Sequence, residues 1–225
     1  MSRQYRDATV LKTIREMVPD NVTDGDMLSS LLKWFKNYMQ WTPKQIICSR
    51  CSDTSSDGTR HMETIVQAGD SPDVRRVEIH TCNRCGYVHI FPRYNDVLKI
   101  AHIRTGRCSE WSILFGAILN SLSFQTRIIH DYLDHCWNEV LLDGRWTHVD
   151  STLEYPTSLD HPHFYEKNWK KQYQYVLAFN SDKVQDVTER YTEKLDSIIA
   201  RRQNMQIGDF NQNTMVQLQN FYSVI

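Results

Sequence analysis

Two cysteine pairs constrain the fold of this chain more than any other feature. Each has the spacing C-x-x-C, one at Cys48 and Cys51 and the other at Cys82 and Cys85, with 30 residues between the pairs. Two residues between cysteines let both thiolates point at one ion, and four thiolates form the closed tetrahedral site of structural zinc. Gly86, directly after the second pair, is typical of a tight turn with positive φ. We therefore predict one structural zinc ion bound by these four cysteines.

The sequence leaves other interpretations of these cysteines open. They could form two disulfides or be unrelated thiols, and His61, His80 or His89 could replace one ligand. The charged N-terminal segment lacks the apolar stretch of a secretory signal, which favours a reducing, cytoplasmic location where disulfides are rare. The segment between the pairs is polar, so a metal would supply folding energy that its few apolar residues cannot.

The composition predicts a globular protein and excludes two classes of partner. The 225 residues are 40% hydrophobic, and 26 basic side chains balance 27 acidic ones. Because the net charge is near zero, we expect no nucleic-acid partner. No apolar run reaches the roughly 18 residues of a spanning helix, so we expect no membrane insertion.

Hydrophobic periodicity divides the chain into four parts. Helical spacing predicts a helix over Met27–Trp41 and a buried helix from Trp111 to Leu122. Alternation predicts strands at Val74–His80, Gln125–Tyr132, Cys136–Leu142, Arg145–Asp150 and Gln172–Phe179. We expect N-terminal helices over residues 1–45, a zinc-binding module over 46–95, a catalytic core over 96–195 and a C-terminal helix and tail over 196–225.

Cys108 is the candidate nucleophile. It directly precedes the apolar stripe that begins at Trp111, so it should lie in the first turn of a buried helix. The positive end of the helix dipole lowers the pKa of a thiol there, and Arg107 would help. A buried, inert cysteine is the alternative.

A predicted hairpin provides partners for this thiol. Asp143-Gly144 is a strong two-residue turn signal, and the register that it sets places His135 diagonal to Asp150 on one face. Cys136 then points to the opposite face, towards the core. His148 shares the face of Asp150, but its position inside the hairpin suits packing better.

Together these residues predict nucleophilic catalysis at a carbonyl. Cys108 would be the thiolate, His135 the general base and acid, and Asp150 the residue that orients His135. The backbone N–H of Cys108 is a candidate oxyanion donor. Attack by water would make the enzyme a hydrolase, and attack by an amine a transferase.

Several motifs resemble the cytoplasmic peptide:N-glycanase family of the transglutaminase-like superfamily. The resemblance runs from about Leu31 to Tyr191 and includes the double C-x-x-C. Its other motifs are Gly106–Trp111, Asp134–Val140, Arg145–Asp150, Asn168–Lys171 and Tyr175–Phe179.

The resemblance implies an α+β fold, with a papain-like transglutaminase core, N-terminal helices and a zinc-binding module. It implies hydrolysis of the amide that joins an N-glycan to asparagine, which becomes aspartate, with Cys108, His135 and Asp150 as the triad and Cys48, Cys51, Cys82 and Cys85 as zinc ligands. The implied substrates are misfolded glycoproteins exported from the endoplasmic reticulum, and ubiquitin-proteasome shuttle factors are possible partners.

The chain departs from the family pattern in a few positions. Ser109 stands where the family commonly has glycine, and Cys136 where valine is usual. The family places a substrate-contacting glutamate three residues after the catalytic aspartate, whereas here Glu154 lies four residues after Asp150. Trp41 could stack on a sugar or pack as a core residue.

Two other functions fit the same motifs. A cysteine protease or a cross-linking transglutaminase would use the same core. A catalytically silent glycoprotein-binding adaptor would keep the groove, although a binding module has no physical need for an activated thiol.

Overall fold

A five-stranded antiparallel sheet, here called the large sheet, organises the second half of the chain. The computed structural model describes residues 3–22, 26–42, 46–52, 59–65, 74–131, 133–180 and 183–203. The strand order is β10-β9-β6-β7-β8. These strands are β6 (Thr126–Asp131), β7 (Cys136–Leu142), β8 (Arg145–Val149), β9 (Val176–Phe179) and β10 (Val184–Asp186).

The sequence predicted the central strands of the large sheet correctly, with small differences at their ends. β7 has the predicted bounds, whereas β9 begins at Val176 rather than at Gln172. Residues 171–175 are irregular, and Tyr173 among them is fully buried. A buried aromatic side chain in an irregular segment gives the same apolar signal as a strand residue.

Helices cover both faces of the large sheet. The helices are α1 (Ala8–Met17), α2 (Met27–Tyr38), α3 (Val97–Ile103), α4 (Cys108–Ser121), α5 (Phe164–Asn168) and α6 (Leu195–Gln203). The first core cluster contains the apolar residues of α1 to α4, among them Leu31, Phe35 and Phe115. The second cluster lies around Trp137, Tyr165 and Tyr191. Among the described residues, no helix combines the length and apolar character needed to span a membrane.

A three-stranded antiparallel sheet, here called the small sheet, precedes these elements. It consists of β2 (Thr59–Ile65), β3 (Val74–Cys82) and β4 (Val88–Tyr94), in the order β2-β3-β4. The sequence predicted only β3. The strands β2 and β4 carry many polar residues, so their apolar alternation is weak. The predicted α+β class is confirmed.

Trp41 lies in a short strand and not in a helix, which corrects the prediction for Met27–Trp41. Helix α2 ends at Tyr38, because Met39 is extended with φ −96° and ψ 150°. The pair β1 (Gln40–Trp41) and β5 (Thr105–Gly106) is parallel and places Trp41 opposite Gly106. Because Gly106 precedes Cys108 by two residues, this pairing brings Trp41 close to Cys108.

Candidate active site and metal centre

Cys108 is the first residue of α4, as the sequence predicted. Arg107 is extended and caps the helix, and its backbone N–H donates to the Glu110 carboxylate at 2.9 Å. A Cβ atom at Gly106 would lie only 2.4 Å from Cβ of Glu110, so glycine is required for this turn. The N–H groups of the first helical turn have no partner within the helix, which makes this end of α4 electropositive.

The hairpin brings His135 and Asp150 together. Leu142 pairs with Arg145 in the predicted register, and His135 Nε2 lies 2.8 Å from Asp150 Oδ2. Both side chains are buried. The bond to Nε2 leaves Nδ1 as the ring nitrogen for Cys108, whose sulfur also hydrogen-bonds to His135.

The Asp150 carboxylate accepts more hydrogen bonds than the sequence suggested. The Tyr165 hydroxyl donates to Oδ2 at 2.7 Å, while the backbone N–H and the hydroxyl of Thr152 donate to Oδ1 at 2.8 and 2.7 Å. Sequence reasoning missed both residues. Thr152 follows Asp150 closely enough for a local turn to have been suspected. Tyr165 comes from α5, and no spacing rule connects it to the hairpin.

His148 supports the site from behind, in agreement with its predicted packing role. Its Nε2 donates to the Tyr165 oxygen at 2.7 Å, and its Nδ1 accepts the backbone N–H of His161 at 3.3 Å. Burial lowers the pKa of His148 to about 4. The ring is therefore neutral at physiological pH, and it orients the Tyr165 hydroxyl towards Asp150.

The charges of the triad stabilise one another in a buried setting. Burial favours neutral forms, but the charge of Asp150 and its hydrogen bond outweigh it and raise the pKa of His135 to about 10. Burial would also raise the pKa of Asp150, yet the nearby imidazolium holds it well below its usual range. The hydrogen bond from Cys136 lowers the pKa of Cys108, and His135 lowers it further. A thiolate-imidazolium pair follows from this arrangement.

Asp131 fixes the loop that carries His135. Its Oδ1 accepts the backbone N–H groups of Leu133, Asp134 and His135 at 2.9, 2.7 and 3.0 Å. Its Oδ2 accepts from Lys171 Nζ at 2.6 Å. An aspartate at the end of a strand, before a short turn, is the sequence signal that could have identified this role.

Cys136 is buried as predicted, but it lies against the nucleophile. Its Sγ is 3.7 Å from that of Cys108, and Asn138 on the same face of β7 donates to the Ser112 carbonyl in α4 at 3.1 Å. That face of the hairpin therefore packs on α4. Because Cys108 is the first residue of α4, the Cys136 side chain on this face contacts the Cys108 thiol.

A cleft of about 780 Å³ opens over Cys108. Its lining includes Trp41, Cys108, His130, His135, Thr152, Leu153, Trp169 and Lys171. The side chain of Trp41 is 50% exposed, although its ring also lies 6.3 Å from that of Trp111. The predicted substrate residue Glu154 lines a smaller depression of about 290 Å³ instead, where it is 3.4 Å from Lys36.

The four cysteines of the two C-x-x-C pairs converge on one point. Their sulfur atoms lie within 4.8 Å of one another, with 3.6 Å from Cys48 to Cys85 and from Cys51 to Cys82. Tetrahedral coordination at a metal-sulfur distance of about 2.3 Å requires sulfur separations of about 3.8 Å, so the cluster fits a metal ion. Gly86 has the predicted positive φ, 70°.

The histidines considered as replacement ligands have other positions. His80 Nε2 is 3.2 Å from the Glu78 carboxylate, and His89 hydrogen-bonds to Cys48. The side chain of His61 lies outside the described residues. The structure thus favours a site of four cysteines.

A buried ion network connects the small sheet to the helix of the nucleophile. Glu78 on β3 accepts from Arg93 at 2.6 Å and from Arg107 at 2.7 Å, and Arg93 also donates to Glu110 at 2.8 Å and to the Ser109 hydroxyl at 2.7 Å. Arg107, expected to assist Cys108 directly, is thus also bound to the small sheet.

Comparison with known proteins places these features in a family. Residues 59–151 match the model of the transglutaminase-like superfamily. The chain is 36% identical over 205 residues to the peptide-N(4)-(N-acetyl-beta-glucosaminyl)asparagine amidase of Caenorhabditis briggsae, which covers 85% of this chain and 33% of the relative. The enzymes of the same name from Homo sapiens and Saccharomyces cerevisiae are each 36% identical, over 81% and 76% of this chain and 28% and 48% of their own lengths. The chain carries a domain of the transglutaminase-like superfamily.

The resemblance to the peptide:N-glycanases that the motifs suggested is thereby confirmed. This transglutaminase-like chain spans between 28% and 48% of these three relatives. Its fold is also similar to a chain in the crystal structure of Rad4-Rad23 bound to a 6-4 photoproduct UV lesion, with a TM-score of 0.55 and 15% identity over 97% of this chain and 50% of that one. At such low identity the likeness concerns the fold alone.

Proposed function

We propose that this protein hydrolyses the amide bond between an N-glycan and asparagine. The observation that carries the proposal is the assembled set of Cys108, His135 and Asp150, in which Cys108 and His135 line an open cleft and Asp150 is buried beside His135. The chain is also similar to the peptide-N(4)-(N-acetyl-beta-glucosaminyl)asparagine amidases. An activated thiol in a cleft is the arrangement that acyl transfer needs.

The first half of the reaction is attack on the side-chain amide of asparagine. The Cys108 thiolate adds to the carbonyl carbon, and the oxyanion lies near the N-terminus of α4, where the backbone N–H of Cys108 is the donor. His135, protonated through its contact with Asp150, gives its proton to the departing glycosylamine nitrogen. The product of this step is a thioester on Cys108.

The second half is hydrolysis of that thioester. Neutral His135 takes a proton from water, and the resulting hydroxide attacks the thioester carbonyl. Aspartate leaves, and Cys108 returns to the thiolate. Asp150 keeps its charge throughout, since four hydrogen bonds hold it as a carboxylate.

Aromatic rings at the cleft suit a sugar. Trp41 and Trp169 both line the cleft and are 50% and 45% exposed, so each presents an apolar ring face on which a sugar can stack. Glu154 is proposed to contact a more distant part of the glycoprotein, because it lines the neighbouring depression with Lys33, Lys36 and Tyr155.

Zinc is the metal that we propose for the cysteine cluster. Four thiolates with tetrahedral spacing are the ligand set of structural zinc, and Cys48, Cys51, Cys82 and Cys85 would bind it without an open position. When bound, the ion supplies folding energy to the small sheet and takes no part in the hydrolysis.

A cytoplasmic location and misfolded N-glycoproteins as substrates complete the proposal. Six free cysteines favour a reducing compartment. A ubiquitin-proteasome shuttle factor is the proposed partner, on the strength of the family resemblance.

Incubation of a denatured N-glycoprotein with the wild type and with Cys108→Ala tests the function. The wild type should release the glycan and leave aspartate, which gains one oxygen from the solvent when the reaction runs in heavy-oxygen water. Cys108→Ala should release none. Glycan release by the variant equal to that of the wild type would refute the mechanism, and a cleaved peptide with its glycan intact would favour a protease.

A further inference from the structure

Cys136 takes no direct part in the hydrolysis described above, but its thiol lies against that of the nucleophile Cys108. The two sulfur atoms are 3.7 Å apart, and Cys136 is only 3% exposed. Both residues border the open cleft, but Cys108 is partly exposed whereas Cys136 is buried, so a small molecule in solvent reaches Cys108 first. The pair therefore combines one accessible thiol with one sheltered thiol at contact distance.

We propose that Cys108 and Cys136 form a site of reversible oxidation, in which a peroxide oxidises Cys108 and Cys136 then closes a disulfide with it. The inference rests on the proposed function only in that Cys108 takes part in both the hydrolysis and the oxidation. The oxidation itself needs no glycoprotein.

The chemistry balances in two steps. The Cys108 thiolate attacks one oxygen of hydrogen peroxide, the O–O bond breaks, and Cys108 becomes a sulfenic acid while hydroxide leaves and takes a proton to form water. The sulfur of Cys136 then attacks the sulfur of the sulfenic acid, the S–O bond breaks, and a second water leaves with the proton of Cys136. Peroxide is reduced, and the two thiols are oxidised to one disulfide.

The geometry favours closure of the bond. A disulfide has a sulfur-sulfur distance of about 2.05 Å, so the two atoms must approach by about 1.7 Å. Rotation about the side-chain bonds of Cys108, at the solvent-facing start of α4, moves its sulfur without disturbing β7. Cys136 occupies a fixed position in the strand, opposite His130.

The environment changes in favour of Cys136 after the first step. The hydrogen bond to Cys108 and burial hold the pKa of the Cys136 thiol well above its usual range in the reduced protein. Once Cys108 is a neutral sulfenic acid, the thiolate that accepted this bond is gone. The pKa of Cys136 then falls, so its thiol gives up more readily the proton that leaves with the second water.

Two tryptic peptides make the disulfide directly measurable. Cleavage after Arg107, Arg127 and Arg145 gives residues 108–127 and 128–145, and each peptide contains a single cysteine. After treatment with hydrogen peroxide and blocking of free thiols, unreduced digests should contain the two peptides joined, lighter than their sum by two hydrogen atoms. Reduction should return both.

Cys136→Val is the matched variant, since it replaces the second sulfur with an apolar side chain of similar size at the same buried position. In the wild type, activity lost to peroxide should return with dithiothreitol. In Cys136→Val, Cys108 should proceed to the sulfinic acid, and the loss should persist. Each variant is compared with its own untreated sample, so a change in basal activity does not affect the result.

The joined peptide does not depend on the substrate. If glycan release fails in the functional test while the joined peptide forms, the proposed amidase is wrong and the oxidation site stands. A wild type that yields sulfinic acid at Cys108 without the joined peptide would overturn the inference. Equal recovery of activity by Cys136→Val and the wild type after dithiothreitol would also overturn it. Oxidation of the four clustered cysteines is measured separately, on the peptides that contain them.

Discussion

The two sheets of this protein are stabilised in different ways. In the large sheet, every residue of β9 (Val176–Phe179) is buried, and large side chains such as Trp137 fill the interior. The small sheet instead buries the charged pair Glu78 and Arg93, and it exposes 66% of the side chain of Ile90. The large sheet also buries an ion pair, Arg127 with Glu139, but apolar side chains from both core clusters cover its faces. The small sheet combines its buried charges with the cysteine cluster.

The proposed nucleophile, Cys108, lies where the two regions meet. Cys108 begins a helix whose apolar body packs in the first core cluster, while its neighbours Arg107, Ser109 and Glu110 bind the side chains of the small sheet. A substitution in either sheet should therefore affect the surroundings of Cys108. The size of its effect on stability tests whether the two sheets are stabilised differently.

Removal of the metal should have the largest effect. Structural zinc sites of this kind contribute roughly 10 kcal/mol to folding, so a strong chelator, or Cys82→Ser, should abolish amide-hydrogen protection in β3 and β4 while β6 and β7 keep most of theirs. Hydrogen exchange followed by mass spectrometry measures both regions in one sample.

Cys136→Ser is the control for the metal experiment, because it changes a cysteine outside the cluster and should leave the metal content unaltered. Unchanged protection of Val74–Cys82 after chelation of the reduced protein would contradict the proposed role of the metal.

Phe115→Ala should weaken the large-sheet region strongly. The Phe115 ring is fully buried, with its centroid 4.9 Å from that of Phe35. Truncation leaves a cavity and should lower the free energy of unfolding by about 3–5 kcal/mol. Ile90→Ala is the control in the small sheet, and its effect should be about 0.5 kcal/mol or less. Equal losses measured by urea denaturation would contradict the distinction between the sheets.

The difference in apolar content between the two sheets also explains which elements could be predicted from the sequence. The strands β6, β7 and β8 and the helix α4 have clear apolar periodicity, and the Asp143-Gly144 turn fixed the register that brings His135 to Asp150. The strands β2 and β4 gave no comparable signal, since side chains such as Ile90 are exposed and buried ones such as Arg93 are charged.

Contacts between distant segments were also beyond the sequence. Tyr165 reaches Asp150 from α5, and Glu78 reaches Arg107 from β3, across spacings that follow no local rule. Cys136 shows what strand alternation leaves undetermined. Alternation predicted which face of the strand its side chain occupies, but it did not predict that the first turn of α4 packs on that face.

Glu78→Gln should have an intermediate effect, because it breaks the connection between the regions. The Glu78 carboxylate accepts from Arg93 and Arg107 in a buried position, and loss of its charge should cost about 2–3 kcal/mol. Urea denaturation measures this loss. Asp160→Asn is the matched control: its ion pair with Arg145 is exposed, so the change should cost less than about 1 kcal/mol. A loss for Glu78→Gln no greater than that of the control would show that the network adds little.

Asp150→Asn should have a specific effect on pH dependence. The pKa of His135 is raised to about 10, so the stability from its charge is complete below its unfolded value of about 6.5 and is lost as the pH rises through about 10. Without the Asp150 charge, the imidazolium loses stability at neutral pH, and the pKa of Cys108 rises towards that of an ordinary thiol.

The rate of alkylation of Cys108 by iodoacetamide, followed on the tryptic peptide 108–127, measures this shift without any substrate. In the wild type the rate should be nearly constant from neutral to mildly alkaline pH, because the thiolate is already formed. In Asp150→Asn the rise in rate should move to higher pH by about one unit or more, equivalent to at least ~1.4 kcal/mol of lost interaction. Superimposable profiles would mean that Asp150 only orients His135, and that the positive end of α4 and the Cys136 thiol suffice to form the thiolate.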